Sequence, residues 1–475
     1  MLDGHRTTKE ENVSKGPLAP PYRALTIGMV TLVSLVAFEA VAVTTAMPTV
    51  ARALHGLSLY ALAFGGALAA GVIAMVISGR WSDGKGPAAP LWTGVATFVA
   101  GLIVAGAAQD MWTLVVGRVA QGFGGGLVTV ALYVVVGQAY PAGLHPRVFS
   151  SFAGAWVVPS IAGPSLAGLV VEHLGWRWVF LGMVLLTAPA VLLMRPGLRG
   201  LAAPAPQAAV VVPGRRTWWA VGAATSMGLL YVGGQQRGVN ALILIGLALA
   251  GLAVFTPRLL PRGTFAVRPG LPSVVLLRGL AGAAFIQADV FIPLMLTRER
   301  GFSPAAAGLT LTIGGVSWFF GSWYQGRRGQ RLAPTRRLQI GLALICVGIG
   351  TAVACVAPVV PVWVCAAGWT LAGFGMGLSY PTMSALTLRL SKPAEQGANS
   401  SALQLADSIF STTILAVGGT LFASWVSESP QAAYLGGFAI AEALALVGLA
   451  VAARAGAPAD EPGGPGRAPA LAAQA

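Results

Sequence analysis

Along this chain apolar residues gather into long runs separated by short polar connections. A helix that crosses the hydrocarbon core of a bilayer needs about 20 apolar residues. Runs of that kind lie near 24–50, 58–79, 89–108, 111–137, 148–171, 176–195, 216–234, 239–258, 272–296, 303–325, 338–358, 361–388, 398–424 and 432–453. The pattern predicts an all-α integral membrane protein with fourteen transmembrane helices. The first run is too long for a signal-peptide core and lacks a convincing cleavage site, so it is expected to remain as a span.

Composition agrees with the pattern. Hydrophobic residues make up 56% of the chain and charged residues 9%, against roughly 25% charged in soluble domains. So few charges could not cover a water-exposed surface. The net charge of +15 does not point to nucleic acid, because the basic residues sit in short loops and not on one face. They do set an orientation. With the N-terminus inside, the outer loops receive Arg52, Arg177, Arg237, Arg298 and Arg300, and nearly every other Lys and Arg falls inside. Both termini are therefore expected in the cytoplasm of a multi-pass cell-membrane protein. Cys346, Cys355 and Cys365 lie in apolar segments without metal-ligand spacing, and His5, His55, His145 and His173 lie in a tail or in loops. Neither a metal site nor a cofactor is expected.

The fourth and twelfth runs share a frame. Residues 114–127 read LVVGRVAQGFGGGL, and 368–378 read GWTLAGFGMGL. Gly117, Gly122, Phe123, Gly124, Gly126 and Leu127 return as Gly368, Gly373, Phe374, Gly375, Gly377 and Leu378, each 251 residues later. Arg118 alone becomes bulky and apolar, at Trp369. Glu39 precedes Asp289 by 250 residues, and Ser150-Ser151 precede Ser400-Ser401 by the same distance. Six helices occupy about 170 residues, so an offset near 250 requires two further helices between the copies. The expected architecture is two pseudo-symmetric six-helix bundles with a two-helix insert, and substrate sites near the midplane where repeats meet. The divisions follow: a tail over 1–22, a bundle over 23–195, a linker with the two extra helices over 196–262, a second bundle over 263–454, and an Ala/Pro/Gly-rich tail over 455–475 with too little to bury to be ordered.

Between the second and third runs stands GRWSDGKG, Gly79 to Gly86. Glycine permits a tight turn, Asp83 can accept hydrogen bonds from a helix N-terminus, and Arg80 and Lys85 add positive charge. This resembles the loop signature GxxxDxxG of the major facilitator superfamily through Gly79, Asp83 and Gly86, although Pro87-Ala88-Ala89 replaces the usual basic cluster. A degenerate copy at 321–329, GSWYQGRRG, has Gln325 in place of the aspartate. The fourth run resembles that superfamily's fourth-helix motif, with Arg118, Gln121, Gly122 and Gly124 in register. Gly163, Pro164 and Gly168 in WVVPSIAGPSLAG resemble its fifth-helix antiporter motif, and glycine and proline at that density let helices approach and bend. WRWVF at 176–180 is similar to the start of the sixth helix in its drug exporters. With fourteen spans, the chain looks like a member of the fourteen-helix drug:proton antiporter family.

A charge inside a span is costly and marks a functional-site candidate by default. Arg118 is the first. Four carboxylates lie deep in spans: Glu39, Asp289, Asp407 and Glu442. Glu39 stands 16 residues beyond Arg23, roughly 24 Å along a helix. Desolvation favours the neutral form of a carboxylate, so such a group can alternate between neutral and ionised during a cycle. Any of them can instead be a structural partner of a helix-facing hydroxyl. Glu442, in the last helix, is the weakest candidate, and Arg278 is close enough to its helix start to snorkel. Trp156, Trp318, Phe319, Phe320 and Trp369 can line a cavity or simply pack.

The reading is a secondary active transporter that exports amphipathic, often cationic, drugs or metabolites in exchange for protons by alternating access. Glu39, Asp289 and Asp407 would supply protonatable, cation-attracting sites, Arg118 would couple them to the gate, and Asp83 with Arg80 would hold one side shut. Its partners would be a small-molecule substrate, protons and the lipid bilayer, with no nucleic acid, and the protein would be a monomer. Rival readings are a proton-coupled metabolite symporter and a lipid or amphiphile translocase. An enzyme is disfavoured, because no nucleophile–base pair, phosphate loop or metal cluster is visible.

Overall fold

The computed structural model describes residues 16–198, 201, 214–236, 238–327 and 331–456. The tail expected over 455–475 lies outside the described residues from 457 onward, as do residues 1–15 and most of the 195–215 connection. Every apolar run is helical. The N-terminal half comprises α1 (Pro20–Ala53), α2 (Tyr60–Lys85), α3 (Ala88–Gly106), α4 (Met111–Ala139), α5 (His145–Gly154), α6 (Val157–His173) and α7 (Arg177–Leu198). Helices α8 (Arg215–Gly233) and α9 (Val239–Leu259) follow. The C-terminal half comprises α10 (Leu271–Arg298), α11 (Pro304–Arg327), α12 (Pro334–Ala354), α13 (Val362–Arg389), α14 (Gln396–Trp425) and α15 (Pro430–Ala452). Among the described residues, 12 helical segments can cross a membrane by length and hydropathy; α8 and α11 are not among them.

The fifth run is two helices because the chain breaks at Ala155-Trp156. Pro159 has no N–H to offer the carbonyl four residues earlier, so the Ala155 oxygen is released from the ladder. Ser34 of α1 takes it up, its hydroxyl donating to the Ala155 carbonyl at 3.0 Å. A break inside a membrane is tolerable where a neighbouring helix satisfies the freed group in this way.

The repeated glycine frame also has a geometric meaning. On α4, Gly122 and Gly126 lie against the backbone of α2 at Ala67 and Gly71, and Gly117 and Gly124 lie against α3 at Ala105 and Phe98. On α13, Gly373 and Gly377 lie against α11 at Gly314 and Trp318, and Gly368 and Gly375 lie against α12 at Thr351 and Gly341. A methyl group on any of these would overlap the facing helix. The frame therefore seats one central helix between two neighbours, once in each half. Gly125, between the two faces, meets nothing within 4 Å.

Helices α8 and α9 pack on each other through Gly222 against Phe255 and Gly233 against Leu244 and Ile245. The pair also packs against both halves. Tyr231 of α8 lies against Gly65 of α2, and α8 and α9 also reach α14. Their buried residues Ala220, Met227 and Leu252 share a core with Val72 and Val76 of α2 and with the C-terminal helices. The pair thus rests where the two halves meet.

Candidate functional site

Two ion pairs form between described residues, and both are within the helices. In the first half Arg118 of α4 pairs with Glu39 of α1. Gln121, one turn along α4, closes the group: it accepts from Arg118 Nη1 at 3.0 Å and donates from Nε2 to Glu39 Oε1 at 3.2 Å. All three are buried. The sequence-level candidates Arg118, Gln121 and Glu39 are therefore one cluster, and Glu39 is a neutralised carboxylate in this state.

The second half carries its pair elsewhere. Arg278 of α10 meets Asp407 of α14 at 3.1 Å between Nη2 and Oδ2. Tyr380 of α13 donates to Asp407 Oδ1 at 2.8 Å, and its ring lies under the Arg278 guanidinium, 3.5 Å from the centroid. The cluster reaches the other half, because Ser384 of α13 donates to the Tyr133 hydroxyl of α4 at 3.3 Å. Arg278 does not snorkel: it is buried, and a carboxylate from another helix holds it. Sequence reasoning assigned Arg278 to snorkelling and did not name Tyr380. The available signal was the spacing Arg278, Gly282, Phe285 and Asp289, which puts four positions on one face of α10. Gly282 carries no side chain where Asp407 and the Tyr380 hydroxyl approach.

On that face Phe285 stacks on Trp369 with centroids 4.5 Å apart, and meets Trp318 edge-on at 5.3 Å. Trp318 and Trp369 are packing partners of α10 and do not line an open wall. Trp156, Phe319 and Phe320 are exposed. One turn beyond Phe285, Asp289 is half-buried and has neither an ion-pair nor a hydrogen-bond partner among the described residues. The repeat gives this its meaning. Glu39 corresponds to Asp289 and Arg118 to Trp369, so the first half pairs a carboxylate with a guanidinium where the second has an indole at the arginine's position. Glu442 of α15 also lacks an ion pair, and its Oε2 is buried without a partner.

At one end of the molecule the halves are closed together. Asp83, in the last turn of α2, accepts from the backbone N–H groups of Gly397 at 2.6 Å and Ala398 at 2.8 Å. These belong to the first turn of α14, where free N–H groups and the helix dipole favour an anion. Gly79 and Gly397 face each other with no room for a Cβ on either. Gly86 ends α2 at φ 79°, a left-handed conformation that favours glycine. Arg80 is not on this seam: its guanidinium lies against Gly214, at the start of α8. The counterpart seam joins α11 to α5, where Ser150 donates to the Ser322 carbonyl at 2.6 Å and to Gln325 Oε1 at 3.1 Å. Gln325 supplies no charge there. Gly163 of α6 packs on Val41 of α1, Pro164 lies inside α6, and Gly168 faces open space.

Residues 29–350 match the sequence family described as Major Facilitator Superfamily. The chain belongs to that superfamily. Its family and fold are those of membrane transporters and not of enzymes. An uncharacterised MFS-type transporter of Mycobacterium tuberculosis is 28% identical over 317 residues, covering 62% of this chain and 44% of the relative. This chain thus spans under half the length of that relative. The multidrug transporter protein MdtP of Bacillus subtilis is 27% identical over 195 residues, covering 41% of this chain and 35% of MdtP. Among solved structures, the human organic anion transporter MFSD10 (TETRAN) superposes with a TM-score of 0.67 at 13% identity, covering 91% of this chain and 99% of that one. A bacterial homologue of the iron transporter ferroportin, in an outward-facing state, gives 0.65 at 16%, covering 90% and 97%. At these identities the likeness establishes the fold.

Proposed function

We propose that this member of the superfamily is a secondary active transporter that exports amphipathic cations in exchange for protons. It would lie in the cell membrane with fourteen spans, of which α8 and α9 are the insert, and with both termini in the cytoplasm. The observation that carries the reading is Asp289: a carboxylate deep in α10, at the repeat position of Glu39, with Trp369 where the first half has its neutralising arginine. A carboxylate without a counter-ion in a low-dielectric site attracts a cation or a proton, but holds only one at a time. The likeness to MdtP supports export of drug-like compounds.

In this reading, a proton entering from outside neutralises the carboxylate and releases the bound cation to that side. The bundles then rock, the Asp83 seam opens, and the proton leaves to the cytoplasm as the next cation binds. Glu39–Arg118 and Asp407–Arg278 act as a second tier, because protonating either carboxylate would loosen its arginine.

The test uses the full chain in liposomes with an imposed pH gradient and a panel of cationic dyes and antibiotics. Proton flux driven by a compound, present in wild type and absent in Asp289→Asn, is the expected result. Flux that survives in Asp289→Asn would remove this carboxylate from the coupling path. No flux with any cation would end the cation-export reading.

A further inference from the structure

Helix α12 begins without a cap. Its N-cap residue is Ala333, and no side chain bonds the first turn. The first backbone bond runs from the Arg337 N–H to the Ala333 carbonyl at 3.1 Å, which leaves the N–H groups of Thr335 and Arg336 outside the ladder. Arg337 then breaks a rule of membrane proteins. Its side chain is buried, at 7% exposure, yet Nε and Nη1 have no hydrogen-bond partner. It forms no ion pair with a described residue, and the charge acting on it is another guanidinium, Arg389 in the last turn of α13.

A buried cation is normally paired, and leaving it unpaired beside a like charge is costly. Side chains on a helix lean toward its N-terminus, so the Arg337 guanidinium is carried back toward the unbonded N–H groups. Arg336 and Arg389 are exposed at the same end, and Arg331 precedes the helix. The matching turn of the first half has Pro87-Ala88-Ala89 at this point, so the feature belongs to one half only.

We propose that Arg337, Arg389 and the first turn of α12 form a binding site for a phosphate group. Guanidinium groups hold phosphate oxygens through paired N–H donors, and a helix N-terminus adds backbone donors and a favourable dipole. The site lies at the end of the spans, where basic side chains meet lipid headgroups. An anionic phospholipid and free phosphate offer the same chemistry there, and the experiment separates them.

Purified full-length protein is reconstituted in phosphatidylcholine nanodiscs with and without phosphatidylglycerol. Separately it is held in phosphatidylcholine alone, with inorganic phosphate or with chloride at equal ionic strength. Thermal midpoint is read in each, and retained lipid is counted by native mass spectrometry. A rise with phosphatidylglycerol that Arg337→Gln and Arg389→Gln both lose assigns a lipid headgroup. A rise with inorganic phosphate that both variants lose assigns free phosphate. If neither anion shifts the wild type, or the shift persists in both variants, the proposal is overturned. Arg337→Gln removes an uncompensated buried charge and is expected to fold; Arg389→Gln tests the same site from an exposed position.

Discussion

Replacing Asp83 with Asn should shift the balance between states closed and open at the α2–α14 seam. The carboxylate takes two short hydrogen bonds, from Gly397 and Ala398, each worth about 1.5–3 kcal/mol when the acceptor is charged. Asn keeps one acceptor oxygen, now neutral and worth about 1 kcal/mol, and turns a donor group toward the other N–H. It also forfeits the charge–dipole attraction, about 0.3–1 kcal/mol at an exposed helix end. The net loss is about 2–6 kcal/mol in the closed state. At 1.4 kcal/mol per tenfold, the closed-to-open ratio should fall by at least roughly 30-fold. The assay is double electron–electron resonance with spin labels at Lys85 and Lys392, exposed positions on either side of the seam. The background would lack Cys346, Cys355 and Cys365, all of them buried. Wild type should show a narrow short distance and Asp83→Asn a major longer one. An Asp83→Asn distribution that superposes on wild type would refute the claim that this carboxylate holds the seam.

Three further outcomes follow from the same geometry. Arg118→Ala should destabilise the fold by about 3–5 kcal/mol by leaving Glu39 buried and unpaired, and adding Glu39→Gln should restore much of that; purely additive losses in denaturation midpoints would mean that the two do not act as a pair. Gly122→Ala forces a methyl onto the Ala67 backbone and should cost about 1–3 kcal/mol or more, whereas Gly125→Ala, in open space, should be neutral or stabilising by up to about 1 kcal/mol; equal losses in thermal stability would undo the two-faced account of the frame. Ser34→Ala should orphan the Ala155 carbonyl at the break in the fifth span and cost about 1–3 kcal/mol, with faster hydrogen exchange confined to α5 and α6 as the sign of a local cause.

Some of this protein is written in adjacent residues. A run of apolar side chains long enough to span a bilayer has few alternatives to a helix, because no other backbone shape satisfies its own hydrogen bonds in lipid. That is why the apolar runs became helices and why the GFGGGL and GFGMGL frames could be matched before any packing was known. The motif around Asp83 was legible because it lies within eight residues, but its partners Gly397 and Ala398 were not. Pairing was not legible. Glu39 meets Arg118, and Arg278 meets Asp407, only when helices far apart in the chain are laid side by side, and the rotation of each helix decides which face meets which. From sequence, Arg278 was a charge near a helix end, to be lifted out by its long side chain. The fold instead buries it, because α14 brings a carboxylate and α13 a tyrosine to the place where Gly282 leaves room. The location of α8 and α9 was likewise a tertiary decision: only their packing on α2 and α14 gives them a place. Sequence by itself determined which segments are helices and which half repeats the other. Tertiary structure decided which buried charges are neutralised and left Asp289 without an ion-pair partner among the described residues, since that depends on distances between helices that no local pattern encodes.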